Sequence, residues 1–202
     1  MAHDLTNLTG RELVLEVACE LFMEKGYEGV SMQQIADAAH MTKGSPYYHF
    51  KGKEDLFAHA FMLRVSQLHA GLIARLESDI PFRDRLVESF AYMLATTDAG
   101  LFRLIDDFKR VIGHERAEEY VDKLIKPDEM LATYVAIFGR AASEGVSLRI
   151  APDRAAWLLN ALQVGALHML YSLEDGVGTP EQAHDIATDV VDTFLNGALL
   201  NP

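Results

Sequence analysis

The sequence predicts an all-α protein: three short helices within the first 56 residues, then a larger helical part over residues 57–202. Three observations lead there. Apolar residues recur at three- and four-residue spacing along most of the chain. Helix-starting pairs such as Thr9 with Glu12 and Ser31 with Gln34 stand at the heads of those stripes. Strand-like alternation of useful length is missing, as are repeats and low-complexity tracts.

Thr9 and Glu12 open the first helix, whose stripe is Val14, Val17, Ala18, Leu21 and Phe22. Gly26 stands where a helix C-terminus takes a left-handed residue. Ser31 and Gln34 open a second helix carrying Ile35, Ala38 and Ala39, and Thr42 is placed to cap a third. Gly52, with Glu54 and Asp55 in the next turn, opens a longer helix, Lys53–Leu76. Pro81, Pro127, Pro152 and Pro180 mark further starts, since proline suits a first turn. The last helix begins Thr179-Pro180-Glu181-Gln182 and runs a stripe from Ala183 to Leu199. The uncharged run 155–173 approaches the length of a membrane span, but Asn160, Gln163, His168 and Ser172 interrupt it. It reads as a helix buried on two sides, with no membrane partner.

The net charge of −12 over 202 residues argues against general affinity for polyanions. Half the residues are hydrophobic, which places the chain among folded globular proteins. A single cysteine, Cys19, makes no internal disulfide and fits a reducing compartment. The start MAHDLTNLTGREL lacks the basic and apolar regions of a signal peptide, so a cytoplasmic location is expected.

Against this acidic background, Ala38–Lys53 holds three lysines, two histidines and no acid. A local positive patch on an acidic body suits a sequence-specific DNA reader, because attraction is confined to the docking surface. Two short helices joined by a tight turn, the second opening Thr42-Lys43-Gly44, form a helix-turn-helix pattern. Gly44, lacking a Cβ, lets the backbone approach DNA closely. Lys43 and Ser45 are the candidates for base edges, and Tyr47, Tyr48 and His49 offer donors to phosphates. Lys51 and Lys53 add charge beyond the helix, while Ser31 and Thr42 stand at helix starts able to hold phosphates. Phe50 reads as core, and Tyr47 reads as a DNA contact with packing as the alternative. Pro46 predicts a distorted first turn, because it lacks an N–H and disfavours helical angles at Ser45.

The run GYEGVSMQQIADAAHMTKGSPYYHFKGKEDLF resembles the DNA-binding domain of the TetR family of bacterial transcriptional regulators, and ELVLEVACELFMEK resembles that family's first helix. The resemblance covers roughly residues 9–57. It implies DNA contacts at Lys43, Gly44, Ser45, Tyr47, Tyr48, His49 and Lys53. Met32 falls where some relatives carry a phosphate-binding threonine, so that contact is expected to be missing. The resemblance also implies a domain boundary near residue 56 and, beyond it, a helical domain that dimerises and encloses a small-molecule effector. A homodimer would then meet a near-palindromic operator on double-stranded DNA, and effector binding would release a repressor. Ala161, Gly165 and Ala166 in the uncharged helix permit close approach of a second copy.

Candidate pocket residues are Phe90, Tyr92, Met93, Phe102, Asp106, Tyr134, Phe138, Trp157 and His168, each with plain core packing as the simpler reading. Control by a protein partner, or a helical enzyme or ligand carrier without DNA binding, are the alternatives. Enzymatic chemistry finds little footing: His114-Glu115 lacks the second histidine of a zinc-protease motif. Asp106, Asp107, His114 and Glu118 read as a solvated acidic face in preference to a metal site, and no cofactor is expected.

Overall fold

The computed structural model describes residues 8–113, 127–172 and 179–198. Among them the helices are α1 (Gly10–Lys25), α2 (Met32–Ala38), α3 (Ser45–His49), α4 (Lys53–Leu76), α5 (Phe82–Thr96), α6 (Ala99–Ile112), α7 (Pro127–Arg140), α8 (Pro152–Ser172) and α9 (Pro180–Ala198), with a 3₁₀ turn at Ala141–Glu144. No strand occurs among the described residues. Nor is any helix there long and apolar enough to cross a membrane.

Local chemistry sets most of these boundaries. Thr9 and Ser31 both form complete capping boxes, with Glu12 and Gln34 returning to the cap backbone. Pro81 caps α5, and Pro152 and Pro180 open α8 and α9. Gly26 ends α1 at φ 72, ψ 170, donating its N–H to the Phe22 carbonyl.

The helices divide into two compact units. The first holds α1–α3, α4 through Gln67, and α6; the second holds α4 from Leu68, α5 and α7–α9. In the first, an aromatic cluster joins elements far apart in sequence. Phe22 and Tyr27 each meet Phe57 at 4.9 Å, and Phe61 stacks on Phe108 of α6 at 3.9 Å.

The second unit packs α5 against α9, and α7 against α8, around Leu86, Phe90, Phe138, Leu159 and Val191. Its polar ties are not all complete: Arg85 Nε and Gln163 Nε2 are buried with no hydrogen-bond partner among the described residues. Arg83 on α5 grips Asp192 on α9 through Nε and Nη2 at 2.6 and 2.8 Å. Arg85, which is buried, pairs with Glu144 of the 3₁₀ turn. The Tyr134 hydroxyl donates to Gln163 Oε1 at 2.8 Å, which answers one polar interruption of α8. Burial pushes the Tyr134 phenol up to about 12.

Candidate nucleic-acid interface

The turn between α2 and α3 is built by a paired bond pattern. His40 N–H donates to Asp37 O at 3.1 Å, and Met41 N–H reaches back to Ala36 O at 2.8 Å. These are the two bonds of a Schellman ending, which needs a left-handed residue between helix and exit. Here that residue is His40, at φ 54, a conformation that suits glycine.

α3 starts later than the sequence suggests. Its N-cap is Gly44, not Thr42 or Lys43, and no side chain caps it. Thr42 instead closes a turn, accepting the Ser45 N–H at 2.9 Å, and its hydroxyl meets the Ser45 hydroxyl at 2.8 Å. Pro46 therefore sits at the second helical position, where its missing N–H has no intrahelical partner to lose. Ser45 is helical, and the turn around it closes on three-residue bonds, from the Ser45 N–H to Thr42 O and from the Tyr47 N–H to Gly44 O at 3.1 Å. Pro46 and Phe50 are buried beneath the helix, while Tyr47 and Tyr48 stand 54% and 87% exposed on its outer side.

Lys43, Gly44, His49 and Lys51 are also exposed, and Ser45 is half-buried. Ser31 is exposed, but its hydroxyl bonds Gln34 Oε1 at 2.9 Å and accepts the Gln34 N–H, so its capping role is occupied. The Lys53 ammonium lies 4.0 Å over the Tyr27 ring. Met32 is turned into the core. The predicted DNA residues thus surround one exposed helix, except that Ser31 stands at the head of α2 and Lys53 rests on the α1–α2 turn.

Sequence reasoning missed what holds that turn. Asp107 on α6 accepts the Tyr27 N–H at 2.6 Å and a bond from Arg110 at 2.6 Å. Arg103 donates to the Glu24 carbonyl at 2.5 Å, and Arg110 reaches Glu28 at 3.2 Å. Burial works against the Asp107 charge, but the Tyr27 N–H and the arginines outweigh it and hold the carboxyl below its ordinary range. No spacing signal links residues about eighty positions apart, so only the fold could reveal this group.

The nine predicted pocket residues are more scattered. Phe102 and Asp106 lie in the first unit and the other seven in the second. Phe90, Tyr134 and Phe138 are core, whereas Trp157 is 60% exposed and His168 and Asp106 face solvent. The Tyr92 hydroxyl presses on Gly71, where a Cβ would lie 2.2 Å away, and Arg75 stacks on the Tyr92 ring at 3.7 Å. Met93 is half-buried against the second core. An open groove of about 710 Å³ in the second unit is lined by Asp79, Phe82, Arg83, Glu144, Asp192 and Leu195 among others, and by none of the nine. Among the described residues no group of three or more metal-ligating side chains is assembled, and His114 and Glu118 lie outside those residues.

Residues 14–60 match the family model of bacterial regulatory proteins of the tetR family. The chain is 41% identical over 58 residues to the HTH-type transcriptional regulator AcrR of Shigella flexneri, and 34% identical over 89 residues to the HTH-type transcriptional repressor DhaR of Mycobacterium sp. strain GP1. These matches cover 29% and 44% of this chain, and only 27% and 45% of the two relatives. Solved structures are similar over nearly the whole chain. One is a TetR-family transcriptional regulator from Mesorhizobium loti, at a TM-score of 0.75 and 22% identity over 95% of this chain and 97% of that one. Another, from Saccharomonospora viridis and in complex with choline, gives a TM-score of 0.71 at 18% identity over 95% and 98% of the two chains. At such identities the likeness is one of fold.

Proposed function

We propose that the chain, whose residues 14–60 match the tetR family model, is a member of the TetR family of bacterial transcriptional regulators and acts as a homodimeric, cytoplasmic repressor released from a near-palindromic operator by a small molecule. The observation that carries the DNA-binding part is the two-sided character of α3. Its underside, Pro46 and Phe50, is buried, while Tyr47, Tyr48 and His49 project outward beside Lys43 and Lys51. Such a helix is fixed from below and free above, as a groove reader requires. Lys43 and Ser45 take base edges; Thr42, Tyr47, Tyr48, His49, Lys51, Lys53 and the head of α2 at Ser31 take phosphates; Gly44 permits close backbone approach.

Dimerisation is supported by α8. Trp157, Leu158, Leu162, Val164 and Met169 are exposed large apolar side chains on one helix, with Ala161 and Gly165 open among them. A second copy packing there and along α9 would remove this surface from water. The effector would bind within the second unit and select a state whose two α3 helices no longer match the half-sites. That a neighbour of the same fold holds choline supports a small ligand as the trigger.

The test is selection of duplexes from a random pool by the purified chain at moderate salt. A recovered motif with twofold symmetry is the expected result. Failure to enrich any duplex, with the protein folded and with candidate effectors absent, would remove the DNA-binding reading.

A further inference from the structure

We propose that Arg11, in the first turn of α1, is a phosphate-binding residue of the DNA face; this rests on the DNA-binding reading above and extends the face to a helix outside the helix-turn-helix itself. Nothing in the local sequence marks it. Arg11 lies outside the acid-free island and is followed directly by Glu12. The fold brings it to α3. A Cβ on the preceding Gly10 would lie 3.5 Å from the Met41 side chain and 3.6 Å from His49 Nε2, so the first turn of α1 abuts both the entry to α3 and its last residue. The Arg11 guanidinium carbon then lies 5.0 Å from the centre of the Phe50 ring, the C-cap of α3.

That contact orients the group without consuming it. A guanidinium over a ring face keeps its N–H donors in its own plane, directed outward. Among the described residues no carboxylate or carbonyl takes them, and Arg11 is exposed. Other arginines of the same unit differ. Arg103 spends its donors on the Met23 and Glu24 carbonyls, and Arg110 on Asp107 and Glu28.

The nearby acids are also engaged. Glu12 gives its carboxylate to the Thr9 N–H and hydroxyl, and these bonds hold its pKa below the ordinary range. Asp55 accepts the Lys51 N–H and faces His59. What is left is a planar, charged fork over Phe50, one residue along α1 from the position that abuts His49, and a backbone phosphate is the group that such a fork fits best. A phosphate contact positions the protein and carries no sequence information, so its loss should weaken binding to every duplex alike.

The experiment is a fluorescence-anisotropy titration of the full chain against its selected duplex and a scrambled one, across a series of salt concentrations. Arg11→Met keeps an apolar stem over Phe50 and removes the charge, and Arg11→Lys restores the charge. Arg11→Met is expected to lower affinity for both duplexes by the same factor and to reduce the slope of log K against log salt by about 0.9. Arg11→Lys should return the slope to that of the unchanged chain. Should Arg11→Met fail to fold, Arg11→Gln carries the same comparison. If the unchanged chain binds DNA and the neutral variant has the same slope, Arg11 is only a packing residue and the proposal falls. If the unchanged chain binds no duplex, this proposal falls together with the reading it rests on.

Discussion

Replacing Gly26 by alanine should damage the link between α6 and the turn that precedes α2, and the size of the effect can be worked from the geometry. Gly26 holds φ 72, ψ 170, a region that is essentially closed to residues with a Cβ and costs on the order of 1–3 kcal/mol to occupy. An added Cβ would sit 3.1 Å from Asp107 Oδ2 and 3.3 Å from the Arg103 Cδ. Asp107 Oδ2 is the atom that accepts the Tyr27 N–H, so it cannot retreat without weakening that bond. A hydrogen bond to a charged group is worth about 1.5–3 kcal/mol, of which partial loss is expected here. Against this, alanine restricts the unfolded chain and returns about 0.4–1 kcal/mol. The net is a destabilisation of roughly 2–4 kcal/mol.

Urea denaturation followed by circular dichroism reads the total, and hydrogen exchange of the Tyr27 amide reads the local part. Exchange at Tyr27 should accelerate by more than about tenfold, since 1.4 kcal/mol corresponds to one decade. In the double variant Gly26→Ala/Asp107→Ala the two costs should be less than additive, because the second substitution removes the atom that the first one crowds. A single variant within about 0.5 kcal/mol of the unchanged chain, with Tyr27 exchange unaltered, would refute both the strain and the contact.

His40→Gly should stabilise the first unit by roughly 0.5–1 kcal/mol, because relief of left-handed strain exceeds the added unfolded-state entropy; chemical denaturation checks the sign. Cys19 is buried and its thiol is pushed up to about 12 by that burial, so a thiol reagent at neutral pH should label it only on unfolding. Equal labelling rates in native buffer and in denaturant would contradict the assignment. Asp107 titrates below its unfolded value, so its contribution is present above the unfolded carboxylate pKa of about 3.9 and is lost as pH falls through the lower folded value. Asp107→Asn should flatten the acid limb of stability against pH in that window and leave the neutral region parallel.

Much of the first unit was legible because its signals are local. Both capping boxes, the stop at Gly26 and the start of α4 at Lys53 depend on residues within a few positions of one another. The start of α3 was misplaced because Thr42 and Ser45 are both capable hydroxyls, and the sequence does not say that they would bond each other and leave the backbone cap to Gly44. A five-residue helix is set by what lies under it, here Pro46 and Phe50, more than by its own ends. The His40 conformation was hidden for a related reason: a Schellman turn favours glycine, and nothing in the residue itself announces the exception. For the second unit, aromatic identity does not reveal direction. Phe90 and Trp157 were equal candidates on paper, yet one is fully buried and the other 60% exposed.

The two units interleave along the chain, and this has a consequence for how the protein can be made. Synthesis delivers α1 to α3 first, but the aromatic cluster and the Gly26–Tyr27 turn are completed only by Phe108 and Asp107, which emerge after all of α5. The second unit waits longer still, because α5 is held by Asp192 of the last helix. A ribosome thus carries a first unit that stays unfinished until α6 has left the tunnel, and a fragment cut at residue 56 would never complete it. The helix-turn-helix is contiguous as a motif, but as a folding unit it borrows its closing piece from farther along the message.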